Sequence, residues 1–404
     1  MSTNPPTKIN TYFLTQYFDK LKDPRRTEKG NFRHSLSDIL LLTISAVLSG
    51  EDEWEGIIYF GKKELEWLKE HGTFEYGIPS QDTLRRFFSA LDNKELSLVF
   101  TKWASDIKET FENEVIAIDG KTIRGAKLKS NIESIAPHVV SAYAAENKLC
   151  LAQEVVEEKS NEINAIPKLL KILNLEGTIV TIDAMGCQKK IAKSIIKAKA
   201  DYILAVKGNQ PELELALKDT ILLETPSQTN ITEDVGHGRV EKRTCKVFSN
   251  LSHFEEKKKW ENLNSFVCIE SEVYNKSTKR TTKETRYYIT SLSADAKLLN
   301  KSIRKHWSVE NNLHWTLDVL FKEDSSRKRM GNEAENFNII NKLVLNMVAP
   351  DKSFRKGNQV RSKKMKRKKA LYEREYRNYL LGFESSYDPN PHAWRTKILA
   401  KLHE

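Results

Sequence analysis

Three acidic residues lie far apart in this sequence, each in its own local setting: Asp119 in VIAIDGKTIRG, Asp183 in TIVTIDAMG and Glu310 in IRKHWSVENNLHWTLDVLFKED. Asp119 closes the apolar run Ile116, Ala117, Ile118 and precedes Gly120; Asp183 closes Val180, Thr181, Ile182 in the same way. Such runs read as buried strands, and an acid at the strand end points into the crevice beyond the sheet, where ligands of open α/β sheets bind. A turn residue or helix N-cap is the plainer reading of either Asp alone; two in matching contexts favour a site. Glu310 lies inside a helical pattern. Carboxylates delivered from two strand ends and a helix could hold two divalent ions, Mg²⁺ or Mn²⁺, because hard oxygen ligands select hard cations. Two such ions about 3.5–4 Å apart drive in-line phosphoryl transfer.

Glu310 is harder to single out. His306, Glu310, His314 and Asp318 step by four and share a helical stripe. A His306–Glu310–His314 zinc site is the competing reading, but it lacks the HExxH pattern with its general-base Glu. On residue types alone Asp318, Glu323 and Asp324 stay open as acids. Lys121, Arg124 and Lys207 flank the acidic strands and are candidate phosphate contacts, with surface charge as the alternative for each. No GxxxxGK[ST] loop occurs, so ATP is not implied.

The elements that must position these groups change character along the chain. Residues 1–110 read as an all-helical domain. SLSDILLLTISAVLSG runs from an N-cap Ser35 to Gly50, and SQDTLRRFFSAL starts at Ser80 after Pro79. Arg85, Arg86 and the DPRR stretch from Asp23 to Arg26 could touch DNA or be surface charge. Residues 111–350 read as a catalytic core: strand, a hairpin around Glu146 and Asn147, helix, strand, helix, strand. That order gives a mixed sheet flanked by helices, an α/β RNase H-like arrangement. A β-rich insertion at about 211–286 precedes a helix expected from near Asp295 to Phe321, either continuous or with a break. Residues 351–404 hold a basic segment, a short helix near EREYRNYLLG and a polar tail.

The 404 residues carry a formal net charge of +11, with 39% apolar and 30% charged residues. Between Lys352 and Lys369 stand ten basic residues and no acid. Such a run is either a solvated charged face or a sequence-independent phosphate contact. The basic balance suits a polyanion, DNA or RNA. The four cysteines lack metal-site spacing and read as reduced thiols. The N-terminus lacks a signal pattern and no apolar run reaches the ~18 residues of a membrane span, so a cytoplasmic protein is expected.

At these residues the chain resembles the DDE transposases of bacterial insertion sequences, specifically the H-repeat-associated family. The matching blocks are DPRR, HSLSDILLLTISAVLSG, IPSQDTLRRFF, IAIDGKTIRGA, HVVSAYAAENKLCLAQEVVEEKSNEI, TIVTIDAMGCQKKIA, YILAVKGNQP, YYITSLS and HWSVENNLHWTLDVLFKED, in family order over roughly residues 15–345. The resemblance implies an RNase H-like core with an inserted β domain and a metal-binding triad of Asp119, Asp183 and Glu310. It also implies Mg²⁺- or Mn²⁺-dependent cleavage of double-stranded DNA at element ends, strand transfer, and a homodimer holding two ends. A stand-alone nuclease or resolvase, and a domesticated DNA-binding protein without catalysis, are the alternatives. Related transposases often place Tyr and Arg before the catalytic Glu and Lys after it. Here Ile303, His306 and Leu317 stand there, leaving His306 or Lys305 as the candidate cationic contact.

Overall fold

The computed structural model describes residues 17–25, 33–127, 136–156, 162–236, 238–357 and 359–387. Arg26 of the DPRR stretch and the tail beyond 387, with Pro389 and Pro391, lie outside them.

One nine-stranded sheet organises the molecule. β1 (Val115–Thr122) pairs antiparallel with β2 (His138–Ala144), which pairs antiparallel with β3 (Leu149–Val156). The turn between β2 and β3 is the expected hairpin, with Lys148 at φ 59°. On its other side β1 runs parallel to β4 (Ile179–Ile182), and β4 parallel to β5 (Asp201–Val206). The order β3-β2-β1-β4-β5 is the RNase H-like arrangement expected from the sequence. Parallel neighbours need crossovers. Here α6 (Glu162–Lys171) leads into β4, and α7 (Lys189–Lys197) links β4 to β5.

The insertion opens with a helix, α8 (Pro211–Leu223), started by a proline in its first turn. Its strands β6 (Gln228–Gly236), β7 (Arg239–Phe248), β8 (Ser265–Asn275) and β9 (Arg280–Thr290) form no separate β body. β9 pairs antiparallel with β5 from Ile203–Thr290 to Val206–Tyr287, so the meander extends the core sheet to the order β5-β9-β8-β7-β6.

The helix expected over 295–321 is broken. α9 (Ala296–His306) is capped by Asp295, whose side chain accepts from Leu298 N–H at 2.9 Å. A π turn follows at Val309–His314, then the short α10 (Trp315–Val319). Within the π turn the Trp315 N–H donates to the Glu310 carbonyl, the five-residue step of such turns, which recur at functional sites.

The N-terminal helices are α1 (Leu36–Leu48), α2 (Trp54–Lys63), α3 (Leu65–His71), α4 (Gln81–Ala90) and α5 (Asn93–Ile107). Ser35 and Ser80 cap α1 and α4 as the sequence indicates. From Asp38 to Leu48 every residue of α1 is buried, so it is surrounded rather than laid on a surface. Part of its cover comes from the other end of the chain: α11 (Glu333–Val348), α12 (Lys363–Tyr372) and α13 (Arg374–Leu381) pack on the N-terminal helices in one continuous core. Asn336 of α11 donates to the Phe88 and Leu91 carbonyls, closing the end of α4. Asn346 exchanges two 2.8 Å hydrogen bonds with the Cys150 backbone and ties α11 to β3.

Two residues of the basic segment depart from both of its readings. In α12, Lys366 and Arg367 are buried. Lys366 donates to the Val348 carbonyl at 2.8 Å. Arg367 donates to the carbonyls of Val47 (2.6 Å) and Leu320 (3.0 Å) and pairs with Asp52. These two of the ten basic residues are thus structural, while Lys352, Arg355, Lys356, Lys364 and Lys368 face solvent.

Candidate active site

β1 and β4 run parallel in register, with Ile118 opposite Ile182. Asp119 and Asp183 are the next residues, so the two carboxylates leave neighbouring strands about 4.8 Å apart. Asp183 sits in a tight turn, its Oδ1 accepting from Met185 N–H (3.1 Å) and Gly186 N–H (3.3 Å). Asp119 Oδ1 accepts from Gly120 N–H at 2.9 Å. α9 crosses β1 and β4, and the π turn that follows covers β1.

The π turn breaks the four-residue stripe and sends its members to different strands. His306 stands 2.9 Å from Thr181 Oγ1. His314 Nδ1 stands 3.4 Å from Asp119 Oδ2. Asp318 reaches Lys121 at 2.7 Å. The two histidines thus contact different strands, His306 on β4 and His314 on β1, and the fold lends the zinc reading no support of its own. Glu310 is exposed, and among the described residues no cation pairs with it.

The electrostatics show that Asp119 feels the other two acids. Burial pushes the Asp119 carboxyl up to about 7, and the charges of Asp183, Glu310 and Glu162 push the same way; the Gly120 N–H opposes them. His314 is pushed down to about 3, chiefly by burial and further by Lys342 and Lys121. It is neutral at physiological pH and gives Asp119 no counter-charge. Its Nε2 is buried without a hydrogen-bond partner. A buried acid of raised proton affinity, with two acids near it, is electrostatically unfinished, and a hard cation would complete it. Among the described residues no three His, Cys, Asp or Glu side chains close a ligand shell.

The candidate DNA contacts divide. Arg124, in the turn after β1, and Lys207, after β5, are exposed with no described carboxylate paired to them. The Lys207 loop lies on the Asp183 loop, Gln210 donating to the Cys187 carbonyl at 2.9 Å. Lys121 is different: its ammonium is held by Asp318 and Glu323, both at 2.7 Å. Burial pushes the His306 imidazole down to about 4, which favours its neutral form over a cationic contact. Lys305 is paired with Glu146. Ile303 and Leu317 are core residues.

Sequence reasoning did not select the buried pair beneath Gly120. His138 Nε2 lies 2.5 Å from Glu162 Oε1, and its Nδ1 lies 2.8 Å from Thr122 Oγ1. The signal was a His opening one strand run and a Glu opening the next helix, weak in isolation. A Cβ on residue 120 would meet His138 Nε2 at 2.4 Å and Glu162 Oε1 at 2.5 Å. Gly120→Ala should therefore destabilise the protein by about 1–3 kcal/mol through overpacking, measured by urea unfolding; an unchanged midpoint would show that the pair moves freely.

A mixed sheet of RNase H-like order, with acids at its two central strand ends and a third on the helical segment above, defines a class of polynucleotide-processing folds. The Transposase DDE domain matches residues 110–347, and the DDE_Tnp_1-associated region matches residues 15–104. The chain belongs to the DDE transposase family, in its H-repeat-associated branch. It is 41% identical over 364 residues to "Putative transposase YncI" of Escherichia coli O157:H7, covering 87% of this chain and 91% of that protein. It is 39% identical over 372 residues to "H repeat-associated putative transposase YhhI" of Escherichia coli K12, covering 90% and 96%. The piggyBac transposase synaptic complex with hairpin DNA is a distant structural likeness: TM-score 0.42, 12% identity, 97% of this chain and 78% of that chain covered.

Proposed function

We propose that this chain cleaves double-stranded DNA at the ends of its element and joins the freed 3′-hydroxyl to target DNA, with Asp119, Asp183 and Glu310 holding two Mg²⁺ or Mn²⁺ ions. The observation that carries the reading is the placement of Asp119 and Asp183 one residue beyond a paired register on adjacent parallel strands, with Glu310 acting electrostatically on Asp119. The three carboxylates supply hard oxygen donors. When bound, the ions activate the attacking oxygen and stabilise the leaving one. Neutral His314 orients Asp119 without competing for the cation. Arg124 and Lys207 contact phosphates and set the DNA against the sheet end. The chain acts as a homodimer on two ends, in the cytoplasm; none of the described helices is long and apolar enough to cross a membrane.

The test is a labelled duplex carrying one element end, incubated with protein and Mg²⁺. Nicking to a 3′-hydroxyl followed by joining to a target plasmid is expected. Cutting without joining would favour a nuclease or resolvase. Binding with neither would favour a non-catalytic DNA-binding protein.

A further inference from the structure

Successive side chains on one face of a strand are two residues apart, so Asp119 and Lys121 project from the same face of β1. The segment from Glu310 to Ser326 follows that face in step. His314 stands against Asp119, and four residues later Asp318 stands against Lys121. Glu323 reaches Lys121 next, at 2.7 Å, with Asp324 at 3.8 Å. Beyond them the backbones touch: a Cβ on Gly125 would lie 2.6 Å from the Glu323 carbonyl and 2.8 Å from that of Ser326. Arg329 Nε donates to the Gly125 carbonyl at 2.8 Å. Glu323 is itself anchored from α11, by Asn338 at 2.7 Å.

From these contacts we infer that Lys121 is a positioning residue rather than a phosphate contact: its ammonium clamps β1 to the segment after the π turn and so sets where Glu310 stands relative to Asp119. The inference rests on the metal-site reading above. A fixed cation suits this task because three acids converge on it, and without it they would repel one another beside a site that already gathers acids. It also keeps Asp318 and Glu323 occupied, so that neither competes with Glu310 for an added ion.

The experiment uses the full chain as wild type and as Lys121→Gln, Lys121→Arg, Asp318→Asn and Asp119→Asn. Asp318 is partly exposed and its change leaves the Lys121–Glu323 pair intact, so this variant keeps the test valid should Lys121→Gln fold poorly. Mn²⁺ binding is read by electron paramagnetic resonance, protection of residues 309–320 by hydrogen exchange, and duplex DNA binding by its salt dependence. Lys121→Gln and Asp318→Asn should weaken Mn²⁺ binding about tenfold, as loss of groups that orient ligands does. They should also raise exchange in 309–320 and leave the salt slope unchanged, with Lys121→Arg recovering part of the loss. Wild-type Mn²⁺ affinity and exchange in both variants would overturn the inference. A salt slope reduced by about one in Lys121→Gln would instead assign Lys121 to a phosphate. If Asp119→Asn binds Mn²⁺ like wild type, the metal-site reading itself fails, and hydrogen exchange alone then judges the clamp.

Discussion

Asp119→Asn will reduce strand cleavage by roughly 10³-fold or more, the loss of several kcal/mol of metal-borne stabilisation, and will make the protein more stable at pH 8. The second effect follows from burial. Asp119 has an ordinary value of 3.8 and is raised to about 7 in the fold. Between those values the folded chain retains a proton that the unfolded chain has released, so stability falls as pH rises through that window. Asn cannot ionise. The two proteins should be alike below about pH 4 and diverge in favour of the variant by up to about 4 kcal/mol above pH 7. Mg²⁺ should raise the melting temperature of the wild type at pH 8 and leave that of the variant unmoved. A variant no more stable than wild type at pH 8 would show that water already solvates Asp119.

Arg367→Met will cost about 3–5 kcal/mol of folding stability, because it strands a buried acid. Arg367 joins Asp52, the end of α1 and the Leu320 carbonyl. Burial already raises the Asp52 carboxyl to about 6 even with Arg367 opposing it. Without the guanidinium it rises further, so the variant loses more stability at pH 8 than at pH 5, where Asp52 is protonated. Adding Asp52→Asn should restore part of the loss at pH 8. Urea unfolding at the two pH values decides it; equal losses would mean that Arg367 contributes packing and carbonyl contacts alone.

What was legible in the sequence was local. Apolar runs ending in Asp119 and Asp183 are strands, Ser35 and Ser80 are caps, and a crossover helix between β4 and β5 makes them parallel. These follow from residues within a few positions of one another. What escaped depends on distant partners. Nothing near Arg280 to Thr290 says that this strand pairs with β5, some 85 residues away, and so fuses the insertion to the core sheet. The charge of Lys366 and Arg367 suggested solvent or phosphate, because the carbonyls that receive them come from Val47, Leu320 and Val348. The π turn escaped for another reason: helical spacing fits the residues from His306 to Asp318, and only their separate partners on β4 and β1 show that the spacing is interrupted. The choice of Glu310 among neighbouring acids came from family likeness. In the fold Asp318 and Glu323 are engaged by Lys121, a distinction that residue types could not draw.

The burial of α1 by helices from both chain ends sets an order for synthesis. While the polypeptide is being made, the apolar sides of Leu36–Leu48 that will meet α11, and the carbonyl of Val47 that will meet Arg367, stay uncovered. α1 is thus made long before the helices that complete its cover. A message cut short before codon 367 would yield a product with its sheet and acids present and its opening helices unsealed, a ready target for proteases.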